Sequence, residues 1–317
     1  MTEKKLYQLA TKYIKETLES LEEKDHFLYK ELPIIASIIE KTPHGCIESI
    51  PQGPLAACSK EDAILIVYEF LQQCSTEYAD KFLSDYKSGK IEFSTEVTDD
   101  EVVTDGKTGE YKIYVRETGS LNDVIYLIHE FFHTLNLNNL VYRNAFTESV
   151  SISAEPLFLE FLKEKGFSDY DIALISNNRT LNYGCASSYL RKILPLYLEV
   201  IQTGKIKNTT FKKIAHNFYG KSDYLEFINK NIIKTSPDER IENLGSYKHV
   251  LGYICASVFH QTGNQIEDLI ISNESLRDAN IEKFNEQLGY GIFMTDYSEY
   301  VIRELNYFKP KIHIKKQ

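Results

Sequence analysis

His129-Glu130-Phe131-Phe132-His133 places two imidazoles four residues apart, with a carboxylate directly after the first. In a helix, residues i and i+4 share a face one turn apart, so both rings can point at one metal ion. Glu130 leaves the helix at a different angle and can reach a water on that metal without ligating it. One Zn2+ ion suits this donor set, because imidazole nitrogen is a favoured ligand and an open position lowers the pKa of bound water to about 7. The spacing therefore predicts hydrolysis by a metal-activated water, with Glu130 as general base.

The surroundings favour a buried helix from Val124 to Leu135. Ile125, Leu127, Ile128, Phe131, Phe132 and Leu135 flank the polar triplet. The competing reading is a core helix whose histidines are satisfied by protein groups. A buried imidazole pair beside a carboxylate needs partners, and a metal supplies them.

A third ligand has to come from another element. After a polar link at residues 136–144, the run from Thr147 to Leu159 reads as a helix, and Glu148 and Glu155 lie two turns apart on one face of it, with Ser151 between them. A carboxylate on a helix shortly downstream of such a histidine pair is the usual third ligand. Val150, Ile152, Ala154, Leu157 and Phe158 surround these acids, so a buried carboxylate there needs a reason. Further on, Tyr247, His249 and Tyr253 stand close together on a predicted helix. They are candidate donors to a developing oxyanion, or else members of a tyrosine-rich packing face.

The elements that must position these groups are mostly helical. Helical periodicity covers residues 4–24, a segment through Leu28 and Ile39, and one long helix from about Lys60 to Tyr86 with Ser59 as its N-cap. Residues 91–97 and 111–117 alternate with period two around an acidic, glycine-bearing turn. They predict two short strands, the second a candidate edge for pairing with an extended substrate. From Asp169 onward the pattern is helical again, including segments near 279–288 and 296–307. The expected fold is mostly α with a small antiparallel β-sheet (α+β). The expected organisation is an N-terminal helical lobe over 1–90 and a catalytic part over 91–317, either separate or continuous.

Composition narrows the partners. The 317 residues carry a formal charge of −10, which argues against nucleic acid or an anionic membrane, since both need a basic face. Five scattered cysteines with no C-x-x-C pair predict free thiols rather than a thiolate zinc site. Neither a signal-peptide core nor a membrane span is visible, so a cytoplasmic location is expected, with signal-less export left open.

Taken together, these pieces resemble the M3 metallopeptidases, especially the oligoendopeptidase F branch. The resemblance rests on Asp123-Val124 ahead of the metal helix, on Glu148-x-x-Ser151-x-x-x-Glu155 followed by a Leu-rich run, and on the Tyr247-Lys248-His249-Val250-Leu251-Gly252-Tyr253 segment. It implies a zincin-like catalytic domain acting on peptide or protein substrates. His129, His133 and Glu148 would be the ligands, Glu130 the base, and the late tyrosines, with His249 as a substitute for a family histidine, would stabilise the tetrahedral intermediate. Asp123, Ser151 and Glu155 would orient the ligands from behind. The chain departs from the family at Phe132, where glycine is usual, and at Asn136, where a further histidine is usual. These departures motivate one alternative, an inactive member of the fold that serves as a binding protein; a hydrolase of a non-peptide amide is a further alternative, differing only in pocket shape.

Overall fold

Ser120 starts the helix that carries the histidine pair. Its backbone is extended, and in the computed structural model its hydroxyl accepts from the amide of Asn122, capping Leu121–Thr134. The structure describes residues 2–24, 26–41, 53–97, 100–105, 108–135, 145–217 and 220–262. The elements are α1 (Glu3–Lys24), α2 (His26–Lys41), α3 (Lys60–Cys74), α4 (Thr76–Lys87), β1 (Ile91–Ser94), β2 (Glu101–Thr104), β3 (Tyr111–Arg116) and α5 (Leu121–Thr134). There follow α6 (Ala145–Glu164), α7 (Asp169–Thr203), α8 (Asn208–Asn217) and α9 (Lys221–Ile228), which runs into a π turn at Asn229–Ile233, then α10 (Pro237–Gly245) and α11 (Tyr247–Thr262). The polar link after α5, the segments beyond Thr262 and the residue Asn136 lie outside the described residues.

The sheet is mixed, which corrects the antiparallel expectation. Its strand order is β1-β3-β2. β1 pairs parallel with β3, Ile91 opposite Ile113, while β2 pairs antiparallel with β3, Val102 opposite Ile113. The stretch read as an acidic turn contains β2, and this extra strand lets β1 and β3 run the same way. Asp105 and Gly109 close the β2–β3 hairpin: Asp105 N donates to Glu110 O, Gly109 N donates to Asp105 O, and Gly109 adopts φ 72°. A second correction follows, because β3 is the central strand and β2 is an edge. Ile91, Phe93, Val102, Tyr111, Ile113 and Val115 are buried on the face that turns to the helices.

The long helix expected over Lys60–Tyr86 is two helices. Ser75 is extended (φ −162°, ψ 132°); its amide caps α3 on Leu71 O and its carbonyl opens α4. Both helices contribute to one apolar core with the sheet, α5 and α6, through Val67, Phe70, Phe82, Ile113, Ile128, Phe131 and Phe158 among others. Phe82 meets Phe131 edge-on at 5.2 Å, and Phe70 meets Phe158 at 5.1 Å.

Two compact units divide the chain. One gathers α1, α2 and the residues 184–250, and the other gathers the described residues of 53–183 with Leu251–Thr262. In the first, Arg240 is buried and donates to Thr17 Oγ1 and to the carbonyls of Ile232 and Thr235, stapling the π turn to α1 and α10. The second unit carries the sheet, α5 and α6, and with them the histidine pair. No helix among the described residues is long and apolar enough to cross a membrane.

Candidate metal centre

α5 is buried nearly all round, and its N-terminal end is fixed by Asp123. That carboxylate accepts from the amides of Thr118 and Gly119, each at 2.9 Å, and from the Thr118 hydroxyl. Asp123, expected to orient the ligands, bonds instead within the β3–α5 turn among the described residues. At the other end, Lys81 of α4 donates to Thr134 Oγ1 at 3.1 Å, to Asp85 at 2.7 Å and to Tyr111. The cation therefore sits at the helix C-terminus, where the dipole favours it. Phe132 is fully buried and packs edge-on against Tyr78 at 6.2 Å.

Between these anchors the two imidazoles converge. His129 Nε2 and His133 Nε2 lie 3.2 Å apart, and Glu148 Oε2 of α6 lies 3.5 Å from the first and 3.7 Å from the second. Each of the three residues offers one ligand atom, all within 4.8 Å of one another. A tetrahedral zinc ion with Zn–N bonds of 2.0–2.1 Å sets its ligand atoms about 3.3 Å apart, so this donor set fits one ion in spacing and in chemistry. Glu130 is also buried, with Oε1 4.0 Å from His129 Nε2. Glu148 keeps 14 % of its side chain exposed, so the cluster meets solvent on that side.

The other acid of α6 does different work. Glu155 Oε1 stands 2.8 Å from His129 Nδ1, and a carboxylate behind a metal-binding imidazole holds the ring's tautomer and direction. Ser151, between the two acids, is fully buried, and among the described residues its hydroxyl has no hydrogen-bond partner. Two groups that sequence reasoning missed come from α7. Arg179 grips Glu155, with Nε donating to Oε2 at 3.1 Å and Nη2 donating to Oε1, and Tyr183 donates its hydroxyl to Oε1 at 3.1 Å.

Electrostatics follow this layout. Burial by itself would push His129 below its ordinary range, but bonds to Glu148 and Glu155 outweigh it and hold the ring up at about 9. Burial lifts Glu130 to about 7; His129 opposes the rise and Glu148 adds to it. Burial also acts to raise Glu155, yet Arg179 and His129 prevail and bring it down to about 2. The cluster thus attracts positive charge at the point where the three ligand atoms meet.

The late candidates separate. Tyr247 is buried and His249 exposed in the first unit, whereas Tyr253 belongs with the histidine pair in the second. The ring of Tyr253 packs on Tyr183 at 4.7 Å.

No protein-family model matches the sequence, and neither does any curated protein. Two solved structures do match. One is described as a "putative peptidase" from Chlamydophila abortus, with a TM-score of 0.54 and 13% identity over 95% of this chain and 55% of that one. The other is described as a "putative oligoendopeptidase F" from Bacillus anthracis str. Ames, with a TM-score of 0.54 and 11% identity over 95% of this chain and 56% of that one. The chain spans about half the length of each structure it matches. Over nearly all of its own length, it shares their fold.

Proposed function

We propose that the chain is a zinc-dependent peptidase of the zincin-like, M3-related kind, with His129, His133 and Glu148 as metal ligands. The observation that carries this reading is the meeting of three ligand atoms at zinc-like spacing beside a buried Glu130. Its support is the fold shared with two structures described as peptidases. A bound zinc ion would lower the pKa of its water to about 7 and polarise the scissile carbonyl.

The chain's own residues then divide the work. Glu130 takes a proton from the attacking water and delivers it to the leaving amine. Its buried site, which raises the carboxyl to about 7, suits both halves of that transfer. Glu155 keeps His129 directed by its bond to Nδ1. Tyr253 is favoured over Tyr247 and His249 as the hydroxyl for the oxyanion, because it packs on Tyr183, which bonds Glu155. β2, an antiparallel edge strand that packs against α5, is assigned to pair with an extended peptide.

The test is metal analysis of the purified chain together with cleavage of a peptide library, with and without a chelator. One zinc per chain and chelator-sensitive cleavage are expected. Zinc without cleavage of any peptide or protein would instead favour a binding protein built on the same fold.

A further inference from the structure

Arg179 is a buried guanidinium that the hydrolytic chemistry leaves unused, at 8% exposure. Its Nε donates to Glu155 Oε2 and its Nη2 to Glu155 Oε1, so the planar fork holds both oxygens of one carboxylate. Nη2 also donates to the Tyr183 hydroxyl at 2.9 Å and lies 3.2 Å from His129 Nδ1. The guanidinium carbon lies 4.9 Å from the Tyr126 ring centroid and 5.5 Å from that of Tyr183, so its faces are covered as well as its edges.

Stability is a poor reason to keep such a pair. Both charges lose their water, and well-packed apolar residues of similar volume often hold a core as firmly. Geometry is a better reason. A glutamate with a single bond to His129 could turn about its side-chain torsions and carry the ring with it. Gripped at both oxygens by a planar fork, the carboxylate has one orientation, and so has the imidazole bonded to it. Arg179 and Tyr183 are four residues apart on α7, so one helix face supplies the whole grip.

We propose that Arg179 is a positioning residue for the metal centre: by holding both oxygens of Glu155 it fixes His129 with Nε2 turned toward His133 and Glu148. It touches neither metal nor substrate. The inference rests on the metal reading of the cluster.

The experiment measures zinc affinity of the full chain by competition with a chromophoric chelator, and thermal unfolding of the metal-free forms alongside. Arg179→Met is expected to weaken zinc binding about 10–100-fold, the range for loss of a group behind a ligand. Glu155→Gln should fall in the same range, and the double variant should lose little more, since both changes break one arrangement. Arg179→Lys should recover part of the loss, because a point charge cannot reproduce the fork. Tyr183→Phe keeps the ring and removes one hydroxyl, with an expected loss of about fivefold. Should Arg179→Met fail to fold, the lysine and phenylalanine variants decide. Unchanged zinc affinity in the folded variants, or fully additive losses, overturns the inference alone. No zinc binding by the unsubstituted chain overturns the metal reading, and this inference with it.

Discussion

Glu155 Oε1 lies 2.8 Å from His129 Nδ1, while Nε2 of the same ring faces His133 Nε2 at 3.2 Å. The two nitrogens of one imidazole are thereby given separate tasks. With a carboxylate accepting a hydrogen bond from Nδ1–H, the Nε2 lone pair of the neutral ring is left for a cation. The two acids of α6, equivalent in the helical pattern, are distinguished by this bond: Glu148 lies on the Nε2 side of His129 and Glu155 on the Nδ1 side.

Replacing each acid should give different outcomes. Glu148→Ala removes a proposed ligand, and loss of stoichiometric zinc is expected. Glu155→Ala leaves the ligand set in place and should weaken zinc about 10–100-fold. Metal content after dialysis against a weak chelator checks both. If Glu155→Ala empties the site while Glu148→Ala keeps its zinc, the ligand assignment is reversed.

Glu130→Gln should bind zinc as the unsubstituted chain does and lose about 10²–10⁴-fold in kcat, the usual contribution of a general base. The amide keeps the shape of the side chain and cannot accept the proton. Single-turnover cleavage of a peptide found in the library screen provides the measurement, with metal content read on the same sample. Undiminished kcat in this variant rules out Glu130 as the base.

What the sequence revealed and what it hid have physical causes. The helix of the histidine pair was legible because the spacing and the flanking apolar residues point to one element, while its Ser120 cap emerged only in the structure. Periodicity alone could not tell Glu148 from Glu155, since it gives a shared face and not what lies opposite it; only the family resemblance separated their expected roles. β2 was hidden because Asp99-Asp100-Glu101 reads as turn chemistry and strand order depends on long-range pairing. Ser75 broke a helix with one extended residue that leaves the apolar periodicity almost intact. Arg179 had a signal that went unread: Ile172, Ile175, Arg179 and Tyr183 form one buried stripe of α7, and a charge on such a stripe calls for a buried partner.

Zinc binding should be linked to proton release. Glu148 and Glu155 hold His129 up at about 9 against burial, and a ligand imidazole must be neutral. Below pH 9 the metal therefore displaces a proton, and affinity should fall about tenfold per pH unit while this group dominates. The sign for the metal-free fold follows from the raised value. Its stabilisation is fully present below the ordinary 6.5 and is lost as pH rises through 9. Calorimetric zinc titrations in buffers of differing ionisation enthalpy read the proton, and thermal unfolding from pH 6 to 10 reads the stability. A metal-free profile that stays flat between 6.5 and 9 contradicts the linkage.

Phe132 stands where the metallopeptidases that the sequence resembles usually carry glycine, and its packing bears on whether that residue disables the proposed site. Its side chain is fully buried, and it meets Tyr78 of α4 at 6.2 Å and Phe131 at 6.1 Å, both edge-on. The ring is thus part of the core between α4 and α5, a space that glycine would leave to another side chain. Phe132→Ala should cost about 3–5 kcal/mol of stability, as large-to-small changes in packed cores do. Zinc stoichiometry of the folded fraction should be unchanged, because His129 and His133 are anchored from Asp123 and Lys81 at the two ends of α5. Urea unfolding with zinc content measured on the same preparation separates the two effects. Zinc loss without a change in unfolding midpoint would mean that the ring supports the ligands directly, and the substitution would then belong to the chemistry of the site.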